Sequence, residues 1–260
     1  MIALLKNTLL KAVHAGADEL TKYFGGEFEI SSKDTLNNLV TEVDKSAEDA
    51  IIEVIRSEFP EHFILSEEIG ELSTESNYKW IIDPIDGTVN FAHGIPICCV
   101  SIGLEKDGEI IMGVVFNPFM NELFFAERGK GAFLNNKPLR VSKNKKVESA
   151  CLVTGFPYRW VEVETDPVAV FERFIRLGLP VRRLGSAAID LCWVAAGRFD
   201  GFWEYNLNPW DIAAGYLIIE EAGGRISNFK GEEYSVYDKQ TLATNGFIHE
   251  EMLELINATE

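Results

Sequence analysis

Between Ile97 and Phe133 the chain alternates short apolar segments with turn signals, and this stretch limits the possible folds more than any other. The apolar segments are separated only by Lys106-Asp107-Gly108 and by Asn117-Pro118. Apolar runs with such short, turn-forming connections are typical of hairpins. The stretch therefore predicts an antiparallel meander, and with it a sheet that is not entirely parallel.

Helices and strands alternate on both sides of this meander. Near the N-terminus, apolar residues at three-, four- or seven-residue steps predict an amphipathic helix; they are Ile2, Leu5, Leu9, Val13, Leu20 and Phe24. A second helix is predicted in "AEDAIIEVIRSEF", with Asp44 as its cap and Pro60 beyond its end. The strand "KWII" is expected to stop at Pro84, because proline lacks a backbone donor. This order predicts an α/β protein with mixed sheets.

The polar, basic segment "NNKPLRVSKNKKVESA" is the best candidate for a boundary within the chain. We predict an N-terminal α+β subdomain at 1–146 and a C-terminal α/β subdomain at 147–260, packed as one compact unit. In the second subdomain, strands are predicted in "CLVTGF", "VRRLGS", "FDGFWEY", "GRISNF" and "TLATN". Helices are predicted in "PVAVFERFIRLG", "AAIDLCWVAAG", "NPWDIAAGYLIIEEAGG" and "HEEMLELINA", the third of them capped by Asn208.

The charge balance is strongly acidic, with 24 Lys and Arg against 41 Asp and Glu and a formal net charge of −17. This balance disfavours direct binding to nucleic acid or to an anionic membrane. The four cysteines form no CxxC pair and no ligand-spaced cluster with histidine, which fits a reducing cytoplasm. Lys6 and Lys11 divide the N-terminal apolar stretch into pieces too short for a signal peptide. We therefore expect a soluble, cytoplasmic protein.

The segment "KWIIDPIDGTVNF" places Asp83 and Asp86 three residues apart around Pro84. Asp-Pro and Asp-Gly are common turn formers, so a turn alone also explains the motif. The functional interpretation is that the proline redirects the chain and both carboxylates face one cation, which would offset their repulsion and desolvation. Gly87 would let the backbone approach an anion, and the amides from Thr88 onward would bind phosphate.

Two further acidic sites accompany this motif. "FILSEE" puts Glu67 and Glu68 directly after an apolar strand, and "NPWD" puts Asp211 in the first turn of a helix. Each has an ordinary explanation, as a solvated strand end or as an acidic residue that offsets the helix dipole. Together, however, the acidic residues lie at strand ends and helix starts, where α/β sheets place their sites. The four histidines are scattered and are predicted to be non-catalytic.

Four segments, in this order and spacing, closely resemble the inositol monophosphatase family. They are "SEE", "WIIDPIDGTVNF", "GSAAIDLCWVAAGRFDGFWE" and "NPWDIAAGYLIIEEAGG", and the similarity extends from "NLVTEVD" to the last helix. The second segment is most similar to bacterial members, including the extragenic-suppressor branch. The resemblance implies a layered αβαβα sandwich of the metal-dependent sugar phosphatase type, commonly a homodimer and sensitive to lithium.

The resemblance also implies ligands for two or three Mg²⁺ ions, with Mn²⁺ as an alternative. Glu67, Asp83 and the backbone carbonyl of Ile85 would hold the first ion. Asp83, Asp86 and Asp211 would hold the second, and Glu67 with waters would hold a third. Most of these ligands lie in the predicted N-terminal subdomain, whereas Asp211 and the substrate-selecting residues lie in the C-terminal one.

The remaining implied roles concern the attacking water and the substrate. Asp44 and Thr88, together with Glu67, would activate the water. Substrate contacts are implied for Asp86, Gly87, Thr88, Gly185, Ser186, Ala187, Glu204 and Asp211. Family members commonly carry threonine where Ser186 stands. Lys33 would lie on a loop near the third ion, where Asn38 replaces the usual aspartate.

The implied reaction is hydrolysis of myo-inositol monophosphate, or a similar small polyol or sugar phosphate, by metal-activated water. Alternative substrates within the family are fructose bisphosphate, adenosine bisphosphate and histidinol phosphate. Members that act on the last two often have lysine after "DPIDGT", where this chain has Val89. A different alternative is a regulatory role, because the suppressor branch includes a protein that contacts the transcription machinery. Arg182, Arg183 and the basic run Lys137–Lys146 could form such a surface.

Overall fold

The predicted antiparallel meander forms the middle of the larger of two main sheets. The computed structural model describes residues 1–32, 39–157 and 166–258. The strands are β1 (Ile30–Ser32), β2 (Leu39–Thr41), β3 (Phe63–Ser66), β4 (Gly70–Leu72), β5 (Tyr78–Asp86), β6 (Cys99–Lys106), β7 (Glu109–Asn117), β8 (Glu122–Glu127), β9 (Gly131–Leu134), β10 (Lys137–Pro138), β11 (Leu152–Thr154), β12 (Val181–Arg182), β13 (Gly201–Tyr205), β14 (Arg225–Ser227) and β15 (Gln240–Thr244). The helices are α1 (Ile2–Tyr23), α2 (Glu42–Glu58), α3 (Thr88–Ala92), α4 (Pro167–Arg176), α5 (Ala187–Ala195), α6 (Pro209–Glu221) and α7 (His249–Asn257). None of these described helices is both long and apolar enough to cross a membrane.

The larger sheet has the strand order β10-β9-β8-β7-β6-β5-β3-β4. Its neighbouring strands are antiparallel except β3 and β5, which pair in parallel. The smaller sheet has the order β12-β11-β13-β15-β14, with β11 parallel to β12 and β13 and the other pairs antiparallel. Both main sheets are therefore mixed, as the alternation of hairpins and helices predicts. β1 and β2 form a separate antiparallel pair.

Three helix layers alternate with the two main sheets. α1 and α2 cover one face of the larger sheet, where Leu9 and Trp80 belong to one apolar cluster. α5 and α6 lie between the sheets, and Leu191 shares a second cluster with Phe124 of the larger sheet and Phe202 of the smaller one. α4 and α7 contribute to a third cluster on the smaller sheet. This order confirms the predicted αβαβα sandwich.

Two glycines in the larger sheet let α6 approach it closely. A Cβ at Gly113 would lie 2.8 Å from the carbonyl oxygen of Ala214, and one at Gly103 would lie 2.6 Å from Cβ of Ala213. Side chains at these positions would push the helix away from the strands. Because α6 also contacts β5, Asp211 in its first turn is held near the strand that carries the DPIDG segment.

The structure corrects two local predictions. β5 does not stop at Pro84 but continues to Asp86, and its register against β6 shifts between Asp83 and Asp86. Proline has no N–H to donate, and a bulge is one of the few positions in a sheet that tolerates this. α2 is capped by Thr41 and not by Asp44, which is instead the third helical residue of a capping box.

The predicted boundary between 146 and 147 lies in the connection between the two main sheets. The last strand of the larger sheet ends at Pro138, and the first strand of the smaller sheet begins at Leu152. α5 and α6 follow this connection in sequence, yet both pack on the larger sheet. The two halves therefore share a helix layer, and their division into 1–146 and 147–260 stays a prediction.

A buried histidine is expected to make the fold sensitive to acid. His249 is fully buried, with Nδ1 2.9 Å from Oγ1 of Thr244 and Nε2 2.8 Å from Oγ of Ser227. Burial, aided by Arg225, lowers its pKa from 6.5 to about 4. Between these values the unfolded chain takes up a proton at His249 that the folded protein does not, so the contribution of His249 to stability falls as the pH drops from 6.5 towards 4.

We expect this loss to reach up to about 3 kcal/mol, seen as the difference in pH dependence between the wild type and His249→Gln. Urea unfolding at pH 7 and pH 5 measures it, with the exposed His93→Gln as the matched control. Parallel pH profiles for the wild type and His249→Gln would assign the acid sensitivity to other groups.

Candidate active site

A cavity of about 600 Å³ is lined by the end of β5, the start of α5, the end of β13 and the start of α6. It brings together the predicted site residues Glu67, Asp83, Ile85, Asp86, Gly87, Thr88, Gly185, Ser186, Ala187, Glu204 and Asp211. Asp44 does not line the cavity, but it contacts Thr88. Lys33 and Asn38 lie outside the described residues.

The irregular end of β5 directs the DPIDG segment into this cavity. Oδ1 of Asp83 accepts a hydrogen bond of 3.0 Å from the N–H of Ile85, which closes a tight turn. Gly87 follows with φ of 90°, and a Cβ there would lie 2.9 Å from the carbonyl oxygen of Ile97. Only glycine meets both conditions, so the sequence needs Gly87 to begin α3 at this point.

Asp86 is held in place by the first residues of α5. Its Oδ2 accepts hydrogen bonds from Oγ of Ser186 at 2.6 Å and from the N–H of Ala188 at 2.7 Å. Its Oδ1 accepts a longer bond of 3.3 Å from the N–H of Ala187. Burial raises the pKa of Asp86 from 3.8 to about 6, although these donors act in the opposite direction. The hydroxyl of Ser186 thus orients an acidic side chain of the cavity.

Glu67, Asp83 and Asp211 complete a ring of carboxyl groups with Asp86. Desolvation raises the pKa of Asp83 and of Asp211 well above the ordinary value, and the charges of Glu67 and Asp86 raise both further. Asp83 also shares a hydrogen bond with Glu67. Oδ2 of Asp211 accepts a bond of 2.7 Å from the N–H of Asn208, within the capping box of α6. The ring therefore favours bound protons or a cation.

Glu48, which the sequence predictions did not include, holds the turn that carries Glu67. Its Oε1 accepts hydrogen bonds from Oγ of Ser66 and from the N–H groups of Glu68 at 3.1 Å and Ile69 at 3.3 Å. These donors flank Glu67 on both sides. Glu48 is buried and lies four residues after Asp44 on α2, hence on the same helix face. That spacing is the sequence signal that could have identified it.

Asp44 and Thr88 form a hydrogen-bonded pair beside the carboxyl ring. Oδ2 of Asp44 accepts bonds from the N–H and Oγ1 of Thr41 at 2.7 and 2.6 Å. Oγ1 of Thr88 lies 3.2 Å from Oδ1 of Asp44 and 3.0 Å from the carbonyl oxygen of Ile85. Burial raises the pKa of Asp44 from 3.8 to about 7. A carboxyl group with such a pKa is suited to accept a proton near neutral pH.

Glu204 and Asp190 are two further acidic residues of the cavity wall. Burial raises the pKa of Glu204 from 4.5 to about 8; the charge of Asp86 adds to this shift, and Arg183 reduces it. Asp190, on α5, is 1% exposed, and burial raises its pKa well above the ordinary value. The sequence predictions included Glu204 but not Asp190. The sequence feature that could have identified Asp190 is its position as the acidic residue of the otherwise apolar helix "AAIDLCWVA".

The chemistry of these donors fits a hard divalent cation. The ring offers carboxylate oxygens and the Ile85 carbonyl, which are the ligands that Mg²⁺ prefers. Within the described ranges, no group of three or more acidic, histidine or cysteine side chains is arranged so that it could hold a metal ion without further ligands. Because Mg²⁺ usually keeps several waters in its shell, an incomplete protein cage suits it. A bound cation would also offset the repulsion that raises the pKa of the carboxyl groups.

Comparison with known proteins agrees with this arrangement. The sequence profile described as "Inositol monophosphatase family" matches residues 3–260. The inositol-1-monophosphatase of Synechocystis sp. is 44% identical over 250 residues, which cover 96% of this chain and 87% of the relative. The Nus factor SuhB of Escherichia coli (strain K12) is 43% identical over 218 residues, covering 84% of this chain and 82% of the relative.

Solved structures share the fold over nearly the whole chain. The extragenic suppressor protein SuhB from Bartonella henselae superposes with a TM-score of 0.92 at 35% identity, covering 99% of this chain and 100% of that one. An IMPase/NADP phosphatase complexed with Mg²⁺ and phosphate superposes with a TM-score of 0.83 at 28% identity, covering 99% and 95%. With its profile, its fold and its acidic cavity in agreement, this chain belongs to the inositol monophosphatase family.

Proposed function

We propose that this protein is a Mg²⁺-dependent phosphomonoesterase that hydrolyses myo-inositol monophosphate or a similar small polyol or sugar phosphate. The proposal rests above all on the carboxyl ring, which lines one cavity together with Thr88, and on the hydrogen bond that joins Thr88 to Asp44. Further support comes from the IMPase/NADP phosphatase complexed with Mg²⁺ and phosphate and from the relative named inositol-1-monophosphatase. Two or three Mg²⁺ ions, or Mn²⁺ in their place, are the proposed cofactors.

The residues proposed to hold the ions are Glu67, Asp83, Asp86, Asp211 and the carbonyl of Ile85. Bound Mg²⁺ would supply positive charge that attracts the phosphate dianion, lowers the pKa of water and neutralises the leaving alkoxide. Without that charge, the ionised ring would repel the substrate.

Asp44 and Thr88 are proposed to remove the proton of the attacking water. Oγ1 of Thr88 would donate to Oδ1 of Asp44 while accepting a hydrogen bond from the water. As the water oxygen bonds to phosphorus, its proton would pass to Oγ1 and the proton of Oγ1 to Asp44. The P–O bond to the alcohol breaks, and the alkoxide takes a proton from solvent. Thr41 keeps Asp44 oriented for this transfer through two hydrogen bonds.

A phosphate-release assay over inositol, sugar and nucleotide phosphates tests the proposal. With Mg²⁺ present, we expect the largest kcat/KM for an inositol or sugar monophosphate. A clear preference for fructose bisphosphate, adenosine bisphosphate or histidinol phosphate would replace the proposed substrate but retain the reaction. No release from any of these esters would contradict the phosphatase function.

Replacement Thr88→Ala should lower kcat roughly a hundredfold while KM changes little. The hydroxyl of Thr88 is proposed to move a proton in the transition state and not to bind the ester. Steady-state kinetics at saturating Mg²⁺ measures the effect, with the exposed Thr21→Ala as the matched control. A raised KM with unchanged kcat would instead make Thr88 a binding residue.

Replacement Glu204→Ala should raise KM for an inositol or sugar phosphate roughly tenfold or more, because leaving a buried hydroxyl without its partner costs about 1–3 kcal/mol. Hydrolysis of para-nitrophenyl phosphate, which lacks the hydroxyls, should be nearly unchanged. Parallel kinetics on both esters measures the difference, and Glu75→Ala on the surface is the control. An equal loss on both esters would contradict a role in selectivity.

A second candidate function is binding to the transcription machinery. It is favoured by the exposed basic residues Lys137, Arg140, Lys143, Lys145 and Lys146 in this acidic protein, and by the relative named Nus factor SuhB. A pull-down with transcription factors, using Lys143→Glu with Lys145→Glu, tests it. Binding that is lost in this variant while phosphatase activity persists would establish a separate role for the basic run.

We also propose that the protein is a cytoplasmic homodimer, binds no nucleic acid directly and is inhibited by lithium. The described cysteines are all free thiols, which suits a reducing compartment. Light scattering of the purified protein, together with a lithium titration of phosphate release, tests the dimer and the inhibition.

A further inference from the structure

Asp190 is a buried acidic residue to which the proposed reaction assigns no role. It lies on α5, a helix that is otherwise apolar and almost entirely buried. Its Oδ1 has no hydrogen-bond partner within the part of the chain that the structure describes. A buried polar atom without a partner is unfavourable and rare in native proteins. Among the described residues, the carboxyl group of Asp190 is therefore left with an unused acceptor oxygen.

The space in front of Asp190 is the cavity of the carboxyl ring. Asp190 and Glu204 both line this cavity, and Arg183 lines it as an exposed residue. The charges that act on Asp190 come from Glu204, Asp86 and Arg183, so these groups lie near it. Glu204 lies against Gly155, where a Cβ would come within 2.1 Å of Oε1. The lack of a side chain at Gly155 therefore keeps room for the Glu204 carboxyl group beside the cavity.

We propose that Asp190 is a specificity-determining residue that binds a hydroxyl of the substrate's alcohol, beside the hydroxyl bound by Glu204. The inference rests on the proposed phosphatase function and narrows the substrate class to phosphates of polyols with neighbouring hydroxyls. Two carboxyl groups on one wall can accept hydrogen bonds from two adjacent hydroxyls. An alcohol without these hydroxyls would leave Oδ1 of Asp190 buried and unpaired, which makes the discrimination strong.

Arg183 argues for hydroxyls and against an ammonium group as the ligand. Its guanidinium group lies close enough to act on the carboxyl groups of both Asp190 and Glu204. An ammonium ion between the two acids would face this guanidinium. A neutral hydroxyl avoids that repulsion and still provides the donor that Oδ1 lacks.

The test compares two esters of the same ring size in the Mg²⁺-loaded enzyme. One is myo-inositol 1-phosphate, and the other is cyclohexyl phosphate, which has no ring hydroxyls. Asp190→Leu, which removes the acceptor, should lower kcat/KM for the inositol ester roughly tenfold or more, whereas Asp190→Asn, which keeps one acceptor oxygen, should lower it less. Both variants should leave the cyclohexyl ester nearly unchanged. Asp49→Asn on the surface is the control, and thermal unfolding confirms that each variant folds.

Deoxyinositol phosphates identify the hydroxyl concerned. In the wild type, the loss of that hydroxyl should reduce kcat/KM by the same factor as Asp190→Leu, and in that variant it should have no further effect. An equal loss on both rings, or no change on either, would overturn the proposal while the phosphatase function remains. A wild-type preference for histidinol phosphate that is lost in Asp190→Asn would overturn it in favour of an ammonium site. A wild type that hydrolyses neither ring ester nor any other phosphate would refute the underlying function.

Discussion

Removal of divalent cations is expected to abolish phosphate release, and Mg²⁺ is expected to restore it. Glu67, Asp83, Asp86 and Asp211 line one cavity, where an ionised ring repels a phosphate dianion unless positive charge is present. The measurement is phosphate release after chelator treatment and dialysis, followed by titration with Mg²⁺. Ca²⁺ should inhibit, because its larger and more flexible shell would misplace the attacking water. Full activity in the chelated protein would refute the cation requirement.

Cation binding should also be visible in stability, without any assay of activity. The pKa values of Asp44 and Asp86 are raised by burial from 3.8 to about 7 and about 6 in the metal-free protein. At these two groups the folded state therefore holds protons that the unfolded chain has released, so their contribution to stability falls as the pH rises from about 4 to about 7, opposite in direction to that of His249. Mg²⁺ competes with these protons, so its stabilising effect should grow over the same range.

The measurement is the shift in melting temperature produced by Mg²⁺ at pH 5 and at pH 8. We expect the larger shift at pH 8, where the carboxyl ring is ionised. A larger shift at pH 5, or equal shifts, would mean that Mg²⁺ binds elsewhere.

The order of helices and strands was predictable because the apolar periodicity is local. The meander from Ile97 to Phe133 and the helix of "NPWDIAAGYLIIEE" appear where the pattern places them. The course of β5 was not predictable in the same way. Whether Pro84 ends a strand depends on whether a neighbour accepts a bulge, and that neighbour, β6, begins thirteen residues after Asp86. A local rule for proline cannot include this partner.

The candidate site shows the same limit. Aspartate is a residue type that often caps helices, which is why Asp44 was predicted to be a cap. In the structure one of its carboxyl oxygens contacts Thr41 and the other contacts Thr88, which is distant in sequence. The helix-capping propensity of aspartate concerns only its local contact with Thr41. The pairing of Asp44 with Thr88 was implied only by the resemblance to a family. Glu48 and Asp190 were overlooked because each looks like an ordinary helical residue. Only burial and hydrogen bonding in three dimensions distinguish them.

Replacement Asp83→Asn is expected to lower kcat about a thousandfold while leaving the protein folded. Asp83 is proposed to contact two ions, so loss of its charge weakens both sites at once. The turn should survive, because Oδ1 of asparagine can accept the same hydrogen bond from the N–H of Ile85. At a pH above the raised pKa of Asp83, loss of this buried negative charge next to Glu67 should raise the melting temperature of the metal-free protein. Each kcal/mol regained corresponds to about 2–4 °C in a chain of this size.

Asp86→Asn provides a contrast within the same motif. Both oxygens of Asp86 accept hydrogen bonds, from Ser186, Ala187 and Ala188, and an asparagine NH₂ group would face one of these donors. This variant should therefore lose activity and also melt at a lower temperature than Asp83→Asn. The measurements are kcat at saturating Mg²⁺ and calorimetric melting with and without Mg²⁺, with Asp49→Asn as the surface control. If Asp83→Asn turns over at the wild-type rate, Asp83 only shapes the bulge of β5 and the ring must bind its cation through the remaining acids.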